Sequence, residues 1–147
     1  MARIDIKLPE KFIFATEIPI RISDINRGRH LAFHIVLSFT EEARIRFWKH
    51  LGYSDENMNG VAMIVVDAAV MYRKQGFYGQ TLRVEVAVAE FTSKGCDLIF
   101  RMTDTATGQE MYRAKTGMLF FNYQQQKVVA VPEEFKHKVV ELGGNVE

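Results

Sequence analysis

The chain has 147 residues, with 19 Lys plus Arg against 18 Asp plus Glu, a formal net charge of +1. That balance excludes binding to nucleic acid through bulk positive charge, and it excludes a strongly acidic tail protein. With 48% apolar and 12% aromatic residues and only three prolines, the composition is globular rather than disordered. One domain over residues 1–147 is expected, with a core large enough to need no covalent staples.

Cys96 is the single cysteine, so it offers neither an intrachain disulfide framework nor a cysteine zinc site. The first fourteen residues interleave Arg3, Asp5, Lys7, Glu10 and Lys11 with apolar residues and lack the core of a signal peptide. The longest apolar stretch, Val61 to Val66, is interrupted by Asp67 and is too short to span a bilayer. A cytoplasmic protein with no membrane partner is expected.

In chain order, Ile18, Ile20 and Ile22 alternate with polar neighbours up to Ser23, a strand pattern in which Pro19 favours an edge. A loop over residues 24–30 follows. From about Leu31 to Leu51, Val36, Phe39, Ala43, Phe47 and Leu51 recur at helical spacing, and Gly52 marks the stop. Ile35, Leu37, Ile45 and Trp48 widen the apolar stripe and predict burial on more than one side. After Gly60 the chain reads as strands. Val61 to Tyr72 is nearly continuous, and Leu82 to Val88 alternates. Gly-containing turns at residues 93–95 and 107–108 then predict an antiparallel meander of the last three strands. Pro132 opens a short helix over about 133–142. The order predicts an α+β fold, an antiparallel sheet of about five strands wrapped around one long helix. Such a sheet leaves an edge and a face to cover, so a homodimer or homotetramer is expected.

Four segments carry a family resemblance over about residues 17–142. They are Arg21 to Phe33, Phe39-Thr40-Glu41-Glu42-Ala43-Arg44, Tyr72 to Leu82, and Val131-Pro132-Glu133. Together they resemble the hotdog-fold acyl-CoA thioesterases typified by 4-hydroxybenzoyl-CoA thioesterase. The resemblance implies a wrapped-helix fold and thioester hydrolysis, with coenzyme A as part of the substrate and no separate cofactor. It also implies a catalytic carboxylate where this chain carries Asn26. Arg29 stands where the family has Gly before His30, and Ala32-Phe33 replaces its Asn-Asn pair. An amide takes no proton at neutral pH and is a poor nucleophile, so the family's usual mechanism does not transfer.

Thioester hydrolysis needs a polarised carbonyl, an activated water and a grip on the CoA. Unpaired N–H groups at a helix N-terminus favour developing negative charge; the resemblance puts the relevant donor at the Phe33 amide. For water activation Asp24 is a displaced base if the strand runs on to Asn26, or else a brace paired with an arginine. Asn26 with Arg44 is a second route, since enediyne polyketide thioesterases are similar in carrying Asn and Arg at this spacing. The other reading of Arg44 is an ion pair with Glu41 on the same helix face. His30 is suited to general-base work or to holding the loop. His30 and His34 have metal-ligand spacing but no third ligand, so no metal is expected. Glu41 and Glu42 stand on the helix, one expected to face the cleft, and Glu41 is the candidate substrate contact. Arg27 and Arg29, beside Gly28 and just before a helix, and Arg73 with Lys74 are candidates for the CoA phosphates. Asp67 is expected to be paired, at an edge or lining the cleft.

The competing expectations are a hydrolase of acyl-CoA or acyl carrier protein thioesters with an altered site, and a binding protein that kept the cleft and lost turnover. A dehydratase pairing His30 with Glu41 is a third.

Overall fold

The computed structural model describes residues 1–53 and 58–147. Its elements in order are β1 (Phe14–Pro19), a single 3₁₀ turn (Ile22–Asp24), α1 (Ile35–His50), β2 (Val61–Tyr72), β3 (Thr81–Ala89), β4 (Gly95–Asp104), β5 (Glu110–Asn122), β6 (Lys127–Val129) and α2 (Glu133–Glu141). All pairings are antiparallel, in the order β1-β3-β4-β5-β2, and β6 pairs with β5 as a sixth strand. The meander of β3, β4 and β5 is as expected from their Gly-containing turns; the short β6 was not expected.

The alternation of β3 explains which face is buried. Leu82, Val84 and Val86 are fully buried on one face with Leu98, Phe100 and Met102 of β4 and Ala114, Met118 and Phe120 of β5. Val36, Phe39, Ala43 and Phe47 form the stripe of α1 that packs into the same core. The helix is narrower in its burial than its sequence suggests. Trp48 is buried, but Ile35 and Ile45 are half-buried and Leu37 is exposed.

Two boundaries differ from the sequence reading, both near the loop. The first strand ends at Pro19, and residues 22–24 turn instead of extending to Ser23. The cause is local: the Asp24 carboxylate accepts the Arg21 N–H at 2.8 Å, a side-chain bond that competes with strand pairing. Asp24 and Asn26 therefore do not share a strand face. The helix begins at Ile35 rather than near Leu31, because Leu31 bridges back to Ile25.

The outer face of the sheet carries ion pairs, Glu85 with Arg101, Glu110 with Arg113 and Asp97 with Lys115. The N-terminal segment crosses this face. Ile6 is buried against Ala87 and Ile99, Arg113 donates to its carbonyl at 3.0 Å, and Arg101 sits over the Phe12 ring. Among the described residues β5 is the only strand paired with β2, apart from a Met58–Val61 bridge at its start, and Val65 and Val66 are exposed. A bulge lies between Val65 and Asp67, whose Oδ1 accepts the Gly117 N–H at 3.1 Å. Asp67 is thus at an edge and paired. Among the described residues no helix is long and apolar enough to cross a membrane.

Candidate active site

The candidate site is built on the loop between β1 and α1. Asp24 is buried, and both its oxygens accept from Arg21, Oδ2 from the backbone N–H and Oδ1 from Nη2 at 3.2 Å. Its backbone carbonyl accepts the Ala32 N–H at 3.0 Å. Asp24 therefore joins the start of the loop to the start of the helix.

Residues 25–31 form a tight hairpin closed by the Ile25–Leu31 bridge. The Asn26 N–H donates to the His30 carbonyl and the Arg29 N–H to the Asn26 carbonyl, each at 3.0 Å. The Asn26 Oδ1 accepts the Gly28 N–H at 3.0 Å, so the amide side chain also shapes the turn. Arg29 sits at φ 68°, a left-handed position that glycine fills without a Cβ penalty. A Cβ on Gly28 would stand 3.0 Å from the His30 Nε2 and 3.3 Å from the Asn26 Oδ1. The bare glycine thus lets the imidazole and the amide crowd around one point.

Next to this hairpin the entry to α1 is pinned at four atoms. The Leu31 N–H donates to the Gly76 carbonyl at 2.7 Å, and the Ala32 N–H donates to Asp24. The Ala32 carbonyl accepts the Ile35 N–H at 3.0 Å, and the Phe33 carbonyl accepts the Tyr72 hydroxyl at 2.9 Å. Among the described residues the Phe33 and His34 N–H groups donate to nothing. The direction of the first follows from peptide geometry. The Ala32 carbonyl points into the first turn of α1, and in a trans peptide the Phe33 N–H points the opposite way, out of the helix. The helix dipole adds positive potential there.

Tyr72 and Tyr112 face each other across β2 and β5, their rings edge-on at 6.1 Å. The Tyr112 hydroxyl accepts the Gly76 N–H at 2.7 Å, which fixes the segment that holds Leu31. Burial pushes both phenols above their ordinary pKa, so both stay protonated at neutral pH. A cavity of about 360 Å³ opens here, lined by His30, Phe33, Tyr72, Arg73, Lys74 and Tyr112 among others. Arg27 and Arg29 are exposed on the adjoining hairpin. None of Arg27, Arg29, Arg73 and Lys74 forms a salt bridge among the described residues, unlike Arg44, Arg46, Arg101 and Arg113.

Arg44 and Glu41 lie elsewhere, two turns and more along α1. The Arg44 Nε and Nη2 both donate to the Glu41 Oε1, at 2.9 and 2.7 Å. They line a second cavity of about 290 Å³ with Leu37, Val65, Ala68 and Thr116. The chain by itself therefore gathers His30, Phe33, Arg73 and Lys74 around one cavity, keeps Asn26 beside His30 in the hairpin, and places Arg44 and Glu41 at another cavity. Glu42 pairs with Arg46 on the exposed side of the helix. His30 lies in the hairpin and His34 caps α1, so the two do not share a helix. Among the described residues no group of three or more His, Cys, Asp or Glu is placed to hold a metal. Sequence reasoning passed over Tyr72, Tyr112 and Thr116. Tyr72 opens one of the four segments that carry the family resemblance, but its bond to Phe33 joins residues 39 apart in the chain.

An antiparallel sheet wrapped on one long helix, with a hairpin and helix N-terminus meeting at its mouth, is the hotdog fold. The chain belongs to the thioesterase-like superfamily, whose model matches residues 20–139. Its sequence is 21% identical over 135 residues to a chloroplastic acyl-[acyl-carrier-protein] hydrolase of Cuphea viscosissima. That match covers 86% of this chain but 33% of the relative, so the chain spans about a third of that protein's length. Among solved structures it superposes on a 1,4-dihydroxy-2-naphthoyl-CoA thioesterase from Synechocystis with a TM-score of 0.79 at 16% identity, covering 90% of this chain and 98% of the other. The 12:0-ACP thioesterase from Umbellularia californica gives 0.75 at 18% identity, covering 88% and 50%.

Proposed function

We propose that the protein hydrolyses acyl thioesters of coenzyme A or of an acyl carrier protein. The observation that carries this reading is the pair of amides at Phe33 and His34 that donate to nothing among the described residues, next to a cavity that Phe33 and His30 line, with Asn26 in the adjoining hairpin. The thioester carbonyl oxygen accepts from these amides, which favours the negative charge that develops on it. Asn26 orients the attacking water through its side-chain amide, and the His30 imidazole takes the water's proton. The new C–O bond forms, the C–S bond breaks, and the proton passes to the departing thiolate. Arg27, Arg29, Arg73 and Lys74, which form no salt bridge among the described residues, hold the phosphates of the carrier arm. Water is the only co-reactant, and no cofactor is required. Asp24 braces the loop through Arg21 in this reading.

The exposed edge of β2, with Val65 and Val66 half-exposed, supports self-association into a homodimer or homotetramer. The lone, buried Cys96 fits a cytoplasmic location.

The test is thiol release from acyl-CoAs of several lengths and from acyl carrier protein. Wild type is expected to turn over at least one, and Asn26→Ala and His30→Ala to lose about 10²-fold or more. The amide at position 26 favours one second reading, a binding protein that holds acyl-CoA without turnover. It predicts a thermal shift with acyl-CoA, no thiol release by wild type, and gain of hydrolysis in Asn26→Asp.

A further inference from the structure

The second cavity, between α1 and the β2–β5 ladder, has mixed chemistry that the proposed reaction does not use. Its walls are apolar at Leu37, Val65 and Ala68. Ser38, Thr40, Glu41, Arg44 and Thr116 supply its polar groups; the Thr40 hydroxyl donates to the Leu37 carbonyl at 2.6 Å, while Arg44 and Thr116 each keep an unused donor. Arg44 is 7% exposed, and its Nη1 has no partner among the described residues, since Nε and Nη2 both go to the Glu41 Oε1. Thr116 is 5% exposed, and its hydroxyl is buried with no hydrogen-bond partner among the described residues. Thr116 stands opposite Ala68 in the β2–β5 register, on the buried face that looks toward α1.

A buried hydroxyl without a partner is uncommon and costs stability, so its presence beside a cavity points to what fills the cavity. A purely alkyl group would leave both the Thr116 hydroxyl and the Arg44 Nη1 unpaired. A group with an acceptor oxygen satisfies both. The charge of the oxygen is also constrained. Glu41 already neutralises Arg44, and its carboxylate repels a second anion. The complement of this cavity is therefore an apolar chain bearing a neutral oxygen.

We propose that this cavity receives the acyl part of the substrate, and that the acyl group carries a hydroxyl or oxo group read by Arg44 and Thr116. The proposal rests on the thioesterase reading and names the substrate class within it. A site that hydrogen-bonds a substrate oxygen discriminates strongly against the analogue that lacks it, because its own polar groups are then left unpaired.

The experiment compares octanoyl-CoA with its 7-hydroxy, 7-oxo and 8-hydroxy derivatives, in wild type and in Thr116→Val, because Arg44 lies about 15 Å along α1 from the His34 amide. Wild type is expected to favour at least one oxygenated substrate by about tenfold in kcat/KM, and Thr116→Val to reduce that preference to about threefold or less. The thermal midpoint of Thr116→Val is expected to equal or exceed wild type, since the hydroxyl gives up no protein bond. Equal rates for plain and oxygenated chains, or a preference that survives Thr116→Val, would overturn the assignment and leave the cavity to solvent. If no thioester is cleaved, the hydrolase reading fails instead. Calorimetry with methyl octanoate and the matching hydroxy and oxo esters, which are neutral, then decides the cavity alone. Tighter binding of an oxygenated ester supports it, and equal or absent binding of all overturns it.

Discussion

The two ends of α1 are built on opposite principles. At the C-terminal end the backbone N–H groups of Leu51, Gly52 and Tyr53 all return to helix carbonyls. The Gly52 N–H donates to the Lys49 carbonyl and the Tyr53 N–H to the Trp48 carbonyl, with Gly52 at φ 93°. That is a Schellman motif with glycine in its left-handed seat. Aromatic rings seal it, Trp48 lying 4.7 Å from Tyr53 and 5.9 Å from Phe135, which in turn lies 5.1 Å from Phe120. At the N-terminal end two amides donate to nothing among the described residues, the cap residue His34 makes no side-chain cap bond, and an arginine occupies the left-handed seat of the preceding hairpin. The contrast teaches where stability was given up. One end of the helix closes the core, and the other keeps donors and strain available for a ligand.

The largest expected effect breaks the C-terminal end alone. Phe135→Ala removes a fully buried ring from the aromatic cluster and is expected to cost about 3–5 kcal/mol in urea unfolding. Turnover per folded molecule should hold; if it falls sharply, the two ends are coupled and the contrast fails.

The second prediction isolates the N-terminal end. Phe33→Pro deletes one amide donor and is expected to lower kcat by about 10²–10³-fold with little change in unfolding midpoint. Phe33→Ala keeps the donor and should stay within a few-fold of wild type. Tyr72→Phe, which releases the Phe33 carbonyl, should lower kcat by about five- to tenfold while KM stays near its original value. Loss of kcat in Phe33→Ala as large as in the proline variant would show that the ring, not the amide, matters.

The smallest effects have opposite signs at the two left-handed seats. Gly52→Ala is expected to destabilise by about 1–2 kcal/mol, because a Cβ is disfavoured there. Arg29→Gly relieves the same strain and should raise stability by up to about 1 kcal/mol, while weakening CoA binding through loss of a cation. Matched melts and CoA titrations of the two variants read this directly. A destabilised Arg29→Gly would mean that the side chain supports the hairpin rather than straining it.

Much of this architecture was legible in the chain. The alternation of Leu82, Val84 and Val86 fixed both a strand and its buried face. The spacing of Val36, Phe39, Ala43 and Phe47 fixed the buried stripe of the helix, and Pro132 marked the last helix. The pairing of Glu41 with Arg44 was also within reach, since residues three apart on a helix are neighbours. The turn at residues 22–24 was not, because Asp24 bonding its own loop outweighed an alternating Ile pattern.

These successes share one physical cause. Periodicity, turn chemistry and short-range ion pairs act between residues close in the chain, so the sequence by itself determined the long strands and both helices, the core-facing stripes of β3 and α1, and the family. The tertiary structure alone decided which amides stay undonated, which tyrosines aim them, and that Arg44 lies with Thr116 rather than with Asn26. Those outcomes depend on bonds between residues such as Phe33 and Tyr72, or Gly76 and Tyr112. No local pattern encodes such a pair, because it exists only once the sheet has wrapped the helix.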